Sequence, residues 1–165
     1  MKLVVFDFDG TLFDTPTPDV GKDIYKQKTG TDWKYIGWWS KSESLDTKIF
    51  DIPLNKYVYG EYIKYKDEYC ILVTGRMNNL RKEVEHILNI NLIPFKEVHL
   101  NTGGCTYKYK QNLFEDKIKE LNIKELIMYD DRDEHLIKFK EWSMTINCDI
   151  TIVDIKTKKI FKNNI

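Results

Sequence analysis

The chain has 165 residues, 42% hydrophobic and 32% charged, a length and balance that suit one globular domain with its own buried core. Its 26 basic and 26 acidic residues cancel. That excludes the basic excess of a protein that wraps a long duplex, while a short strand end or a small phosphorylated molecule stays open.

No apolar run reaches the ~18 residues of a bilayer span. Asp7 interrupts the apolar N-terminal stretch, where a secretory segment needs roughly 7–15 apolar residues in a row. Cys70, Cys105 and Cys148 are widely spaced and form neither a disulfide framework nor a zinc knuckle. A cytoplasmic protein is expected, with no membrane attachment and no obligate protein partner.

Short apolar runs alternate with helical patterns, which predicts an α/β fold with a mainly parallel sheet. The first strand is Lys2–Phe6, running into Asp7-Phe8-Asp9-Gly10-Thr11. The stretch from Thr15 to Pro53 carries Pro16, Pro18, Trp33, Trp38 and Trp39 with weak periodicity, and reads as an insertion. Residues 57–65 read as a helix with aromatics on one side. A second strand at Cys70–Val73 runs into Thr74-Gly75-Arg76. Leu80, Val84, Ile87 and Leu88 repeat at helical spacing. A third strand is expected at Glu97–Leu100, then a helix through Leu113, Phe114, Ile118 and Leu121. The fourth strand, Glu125–Tyr129, runs into Asp130-Asp131-Arg132. Leu136, Ile137 and Phe139 mark a shorter helix, and a fifth strand lies near Asp149–Ile155. Runs such as LVVF and ILV fit strands covered on both faces.

Ligands of an open parallel sheet bind beyond the carboxyl ends of its strands. Three strands here end in polar, reactive residues, and the topology brings those tips together. Four carboxylates at one edge repel unless a cation sits among them, and hard oxygen ligands on a phosphate-handling edge favour Mg²⁺. An aspartate can attack phosphorus to form an acyl phosphate. A second carboxyl two residues on lies on the same side of an extended segment, where it can protonate the leaving oxygen and later deprotonate water. Gly10 permits the sharp turn after the pair. Thr74 offers a hydroxyl to phosphate and Gly75 a close backbone approach. A lysine is wanted to balance charge on the transferring group, and Lys108 and Lys110 are both candidates.

FDFDGTL at Phe6–Leu12, LVTGR at Leu72–Arg76, a lysine before a helix and YDDR at Tyr129–Arg132 resemble the four ordered motifs of the haloacid dehalogenase (HAD) superfamily. TGR, YDDR followed by His135, and YKQNLFEDKI at Tyr109–Ile118 further resemble the phosphatase module of polynucleotide kinase–phosphatases and the HAD domain of RNA-repair proteins. The resemblance implies a Rossmann-like three-layer core spanning 1–165, with 15–53 a small cap-like insert. It implies Mg²⁺-dependent phosphomonoester hydrolysis with Asp7 as nucleophile, Asp9 as acid/base, Thr74 and Lys110 as further catalytic groups, and Asp7, Asp9, Asp130 and Asp131 around the metal. It picks Lys110 over Lys108. Gly10, Thr11, Gly75, Arg76 and Arg132 are expected to contact substrate, a phosphorylated molecule that includes a single-stranded nucleic-acid 3′ end among its candidates. A small-molecule phosphatase such as a nucleotidase is the second reading, and a catalytically silent module on the same fold the third.

Each motif also has a plainer reading. Asp130-Asp131 can cap a helix, and Arg76 can pair with a surface acid. His135 either orients Asp131 from one helical turn away or contacts substrate, or else sits on a helix surface. His86 and His99 read as structural or solvated, and Cys70 and Cys148 as small buried hydrophobes. Trp33, Tyr35, Trp38 and Trp39 either pack a small core or offer stacking platforms to bases.

Overall fold

A computed structural model describes residues 1–163. In chain order its elements are β1 (Lys2–Phe6), α1 (Pro18–Thr29), a short 3-10 turn (Ser42–Leu45), α2 (Lys56–Tyr65), β2 (Tyr69–Met77), α3 (Arg81–Ile90), β3 (Glu97–Asn101), α4 (Thr106–Glu120), β4 (Glu125–Asp130), α5 (Asp133–Ser143), β5 (Asp149–Asp154) and β6 (Ile160–Lys162). The strand order is β3-β2-β1-β4-β5-β6. Every pairing is parallel except β5 with β6. The α/β, Rossmann-like reading is borne out.

Alternation along the central strands builds two cores. Val4 and Phe6 of β1, Cys70 and Leu72 of β2, and Ile127 and Tyr129 of β4 face one cluster with Val58, Tyr62, Val84 and Ile87 of α2 and α3. Leu3 and Val5, Ile71 and Val73, and Leu126 and Met128 face the other, against Phe114, Phe139 and Trp142 of α4 and α5. A strand covered on both faces needs apolar residues at every position, which is why LVVF and ILV are unbroken.

Three features depart from the sequence reading. The insert contains the twelve-residue α1. Its signals are Pro18 at the first helical position and Gly30 just past the end, left-handed at φ 73°, the usual asymmetry of helix ends. Weak apolar periodicity hid it, because only one flank of α1 touches the core. β2 runs on through Thr74-Gly75-Arg76 with an irregular register against β3 between Thr74 and Met77. The antiparallel edge strand β6 is three residues long, too short to leave an alternating pattern.

The insert joins the main core: Trp38, Leu45, Phe50 and Ile52 belong to the same buried cluster as Val4 and Phe6. Among the described residues, no helix is long and apolar enough to cross a membrane.

Candidate active site

The polar tips meet where β1 and β4 lie side by side at the centre of the sheet. From β1 the chain turns one way to β2 and β3, and from β4 the other way to β5, so a crevice opens between the diverging connections. Phe6 pairs with Tyr129, and the Asp7 N–H donates to the Tyr129 carbonyl at 3.1 Å. Asp7 and Asp130 are therefore set next to each other by the ladder itself.

Past Asp7 the chain closes a tight loop: the Leu12 and Phe13 N–H groups donate to the carbonyls of Asp7 and Phe8 at 3.2 and 3.0 Å. Gly10 sits in it at φ 67°. A Cβ there would lie 2.4 Å from the Asp131 Oδ2, so glycine is required by both conformation and space.

Lys110, 3% exposed on α4, reaches across to two carboxylates. Its Nζ donates to Asp7 Oδ1 at 2.8 Å and to Asp130 Oδ2 at 2.7 Å. Lys108 is exposed and its Nζ donates to Gln111 Oε1, so Lys110 is the lysine at the site. Asp130 Oδ1 accepts from the Arg132 N–H at 2.9 Å, turning the chain into α5. Asp130 is thus both a turn former and part of the site.

Electrostatics follow from burial. Burial pushes Asp7 up; Lys110 opposes this and Asp130 adds to it, leaving Asp7 at about 8. Burial would lower Lys110, but Asp130 and Asp7 together outweigh it and hold the ammonium above its ordinary value. Burial first, and Asp130 second, raise Asp131 to about 6.

Asp7, Asp130 and Asp131 each bring a carboxylate oxygen within 4.8 Å of the others. One ammonium among three carboxylates leaves a deficit of positive charge, and all three donors are hard oxygens. The set fits a divalent oxygen-seeking cation such as Mg²⁺, which takes one or two carboxylates and keeps waters for the rest of its shell.

Asp9, expected among the ligands, points elsewhere. Its Oδ2 accepts from Arg76 Nε at 2.9 Å, and its Oδ1 accepts from Arg76 Nη2 at 2.8 Å and from Thr15 Oγ1 at 2.8 Å. A guanidinium matches both carboxylate oxygens at once, and that pairing draws the side chain away from the acidic cluster of Asp7, Asp130 and Asp131. Arg76 is 2% exposed. Its Nη1 donates to the Trp39 carbonyl at 2.8 Å and to Ser44 Oγ at 2.7 Å. Sequence reasoning placed Arg76 on the substrate; the structure spends its donors on Asp9 and the insert.

Two further expectations shift. Thr74 is buried and its Oγ1 accepts from the Arg76 N–H at 3.1 Å. Thr11 is buried, with its hydroxyl 3.5 Å from Asp131 Oδ1. Both lie beneath the pocket and brace residues that line it. Gly75 does line the pocket, and a Cβ there would stand 2.8 Å from Thr106 Cγ2.

The pocket is a cavity of roughly 370 Å³ that gathers Asp7, Asp9, Gly10, Gly75, Arg76, Lys110, Asp130, Asp131 and Arg132. It also takes in Thr15, Thr17, Trp39, Thr106 and His135. The threonines carried no sequence signal, since they belong to no motif and only the folded insert and α4 bring them here. His135 is buried rather than on a helix surface. Burial lowers it to about 4 despite Asp130, so it is neutral at pH 7. Its Nε2 lies 3.5 Å from Arg132 Nη1, and its Nδ1 has no hydrogen-bond partner among the described residues.

The model of the HAD domain family 1 in Swiss Army Knife RNA repair proteins matches residues 20–163. The chain belongs to this family. The match covers three of the four motif positions of this HAD domain, and the Asp7–Thr11 loop precedes it. An uncharacterized protein of Saccharomyces cerevisiae is similar to the domain, 28% identical over 168 residues that cover 86% of this chain. The chain spans 36% of that relative's length. No solved structure matches at a significant level. Membership supports phosphatase-type hydrolysis in general, and HAD proteins commonly use Mg²⁺, for which the acidic cluster of this domain is suited.

Proposed function

We propose that this HAD domain hydrolyses phosphomonoesters in a Mg²⁺-dependent reaction through an aspartyl phosphate on Asp7, with a nucleic-acid 3′-phosphate end as the favoured substrate. The observation that carries the reaction is the buried Lys110, which bridges Asp7 and Asp130 beside Asp131 at the strand tips. Lys110 holds Asp7 Oδ1, so Oδ2 is the oxygen offered to phosphorus. As the Asp7–phosphorus bond forms, the bond from phosphorus to the substrate's alcohol oxygen breaks, and a proton held on Asp9 passes to that oxygen. Water then attacks the same phosphorus and returns a proton to Asp9, releasing inorganic phosphate and the Asp7 carboxylate. A carboxylate has about four lone-pair sites. Arg76 and Thr15 use three on Asp9, which leaves one on Oδ2 for the travelling proton. Asp7, Asp130 and Asp131 would hold Mg²⁺, which would supply positive charge beside the transferring group.

The preference for a nucleic-acid end is supported by the family, whose members are described as RNA repair proteins, and by the exposed ring of Trp39 at the pocket. The limited cavity and the zero net charge support a small-molecule phosphatase as the second reading.

Phosphate release from 3′- and 5′-phosphorylated oligonucleotides, mononucleotides and sugar phosphates, with Mg²⁺ and with EDTA, tests both. Turnover should need Mg²⁺, vanish in a folded Asp7→Asn variant, and be fastest on the 3′-phosphorylated strand. Activity in chelator or in Asp7→Asn would remove the mechanism. Preference for sugar phosphates or mononucleotides would leave the mechanism standing and move the substrate to the second reading.

A further inference from the structure

The pocket divides by chemistry. One side holds Asp7, Lys110, Asp130 and Asp131, the groups that would bind and attack the phosphoryl. The other holds Asp9 with its Arg76 clamp, and beyond them Thr15, Thr17 and Trp39 of the insert. Attacking and leaving oxygens lie roughly in line in phosphoryl transfer. A group leaving phosphorus from the face opposite Asp7 therefore departs toward the insert.

What the insert presents there is specific. Trp38 and Trp39 are neighbours in sequence with opposite fates. Trp38 is 3% exposed, packed tilted against Trp33 and edge-on to Phe50, with its Nε1 donating to the Pro16 carbonyl at 3.1 Å. Trp39 is 43% exposed and lines the pocket. Its ring lies over the Arg76 guanidinium, 4.9 Å from Cζ to the centroid, and its carbonyl takes Arg76 Nη1. A large ring left open to solvent while anchored to a buried arginine that makes four hydrogen bonds is held in place for contact. The remaining residues of that wall are polar.

A leaving group that fits this wall carries a flat apolar face a few bonds from its ester oxygen. A simple sugar offers only C–H groups and no aromatic face, whereas a nucleoside has its base. We propose that Trp39 is a specificity-determining residue that stacks the base of the terminal nucleoside bearing the scissile phosphate. This rests on the phosphatase reading of the site, and it assigns to one side chain the selection of nucleoside over bare sugar.

The test is a two-by-two comparison of the wild type and Trp39→Ala on 3′-phosphorylated oligonucleotides whose last residue is intact or abasic. The substitution keeps the backbone carbonyl that binds Arg76. Michaelis constants are measured in the active protein, and equilibrium binding in the Asp7→Asn background with a fluorophore at the 5′ end. On the intact end, Trp39→Ala should weaken binding about 5- to 150-fold, the 1–3 kcal/mol of one base–aromatic stack at 1.4 kcal/mol per tenfold. On the abasic end the change should stay within about twofold, the scatter of independent sites. Trp39→Phe should keep much of the affinity for the intact end, since a smaller ring still stacks.

Equal losses on both ends, no loss on either, or no binding of either end would each overturn the assignment. The binding arm separates it from the reaction. Coupling between ring and base without phosphate release leaves Trp39 a base platform and removes the hydrolysis. Phosphate release without coupling does the reverse.

Discussion

At the scale of single residues, Arg76 has the most constrained position in the site. Four hydrogen bonds leave its guanidinium, two to Asp9 and two to the insert, so it acts by positioning Asp9. A lysine offers a point charge and cannot grip both oxygens of a carboxylate in a plane. Arg76→Lys should therefore lower kcat on an alkyl phosphate by up to the 10²–10⁴-fold attributable to general acid–base catalysis, roughly. The loss in acyl-phosphate formation should be much smaller on an activated aryl phosphate, whose leaving oxygen needs little protonation. Equal losses on both substrates would mean that Arg76 supports the fold rather than the proton transfer. The residues around it show how far motifs reach. Asp7, Lys110 and the Asp130 pair lie together at the strand tips. Asp9 stands apart from the acidic cluster because an arginine 67 positions away claims it, and no local pattern records such a partner.

At the scale of elements, α1 is held by a close approach that its sequence discloses only as a glycine inside a helix. A Cβ on Gly21 would fall 2.1 Å from Trp38 Cη2 and 2.3 Å from Cζ2. In an exposed helix, replacing glycine by alanine gains about 1 kcal/mol. Here the methyl meets a rigid indole, and overpacking costs about 1–3 kcal/mol, so the clash wins. Gly21→Ala should lower the thermal midpoint, and Trp38→Phe in the same chain should recover part of the loss. A rise in the midpoint would show that the insert moves aside freely. The same contact explains why aromatic content alone could not separate core from surface. Trp38 meets a bare glycine backbone and is buried, while Trp39, one residue on, lies against the polar head of Arg76 and stays half open.

At the scale of the molecule, the buried acidic cluster sets how stability responds to pH and metal. In the unfolded chain Asp7 loses its proton near pH 4, whereas in the metal-free fold it keeps it to about 8. The fold binds more protons over that interval, so this group makes stability fall as pH rises from about 4 to about 8. Asp131, raised to about 6, acts in the same direction over the lower part of the range. A divalent cation needs the carboxylates ionised and reverses the trend. At pH 7, Mg²⁺ should bind with release of on the order of one proton, read by calorimetry in buffers of different ionisation enthalpy. At a hundredfold excess over its dissociation constant it should stabilise the fold by about 2.7 kcal/mol. A melting temperature that rises from pH 7 to pH 8 without metal, above the range in which the lowered His135 acts in the opposite direction, or one indifferent to Mg²⁺ at pH 7, would contradict this account of the cluster.

The sequence by itself determined the α/β alternation, the strands buried on both faces and the polar tips, because each is written locally in periodicity or in a short motif. It left β6 invisible, since three residues carry no period, and α1 obscure, since one thin flank of it is apolar. Only the tertiary structure decided what each tip residue faces. The ladder sets Asp7 beside Asp130, the reach of α4 puts Lys110 between them, and the insert closes over Arg76. Thr11 and Thr74 sink beneath the pocket because the tight loop and the irregular strand end turn their hydroxyls toward Asp131 and the Arg76 backbone. Partner choice of this kind depends on residues tens of positions apart meeting in three dimensions, and a hydrogen bond across that distance leaves no mark on either neighbourhood in the chain.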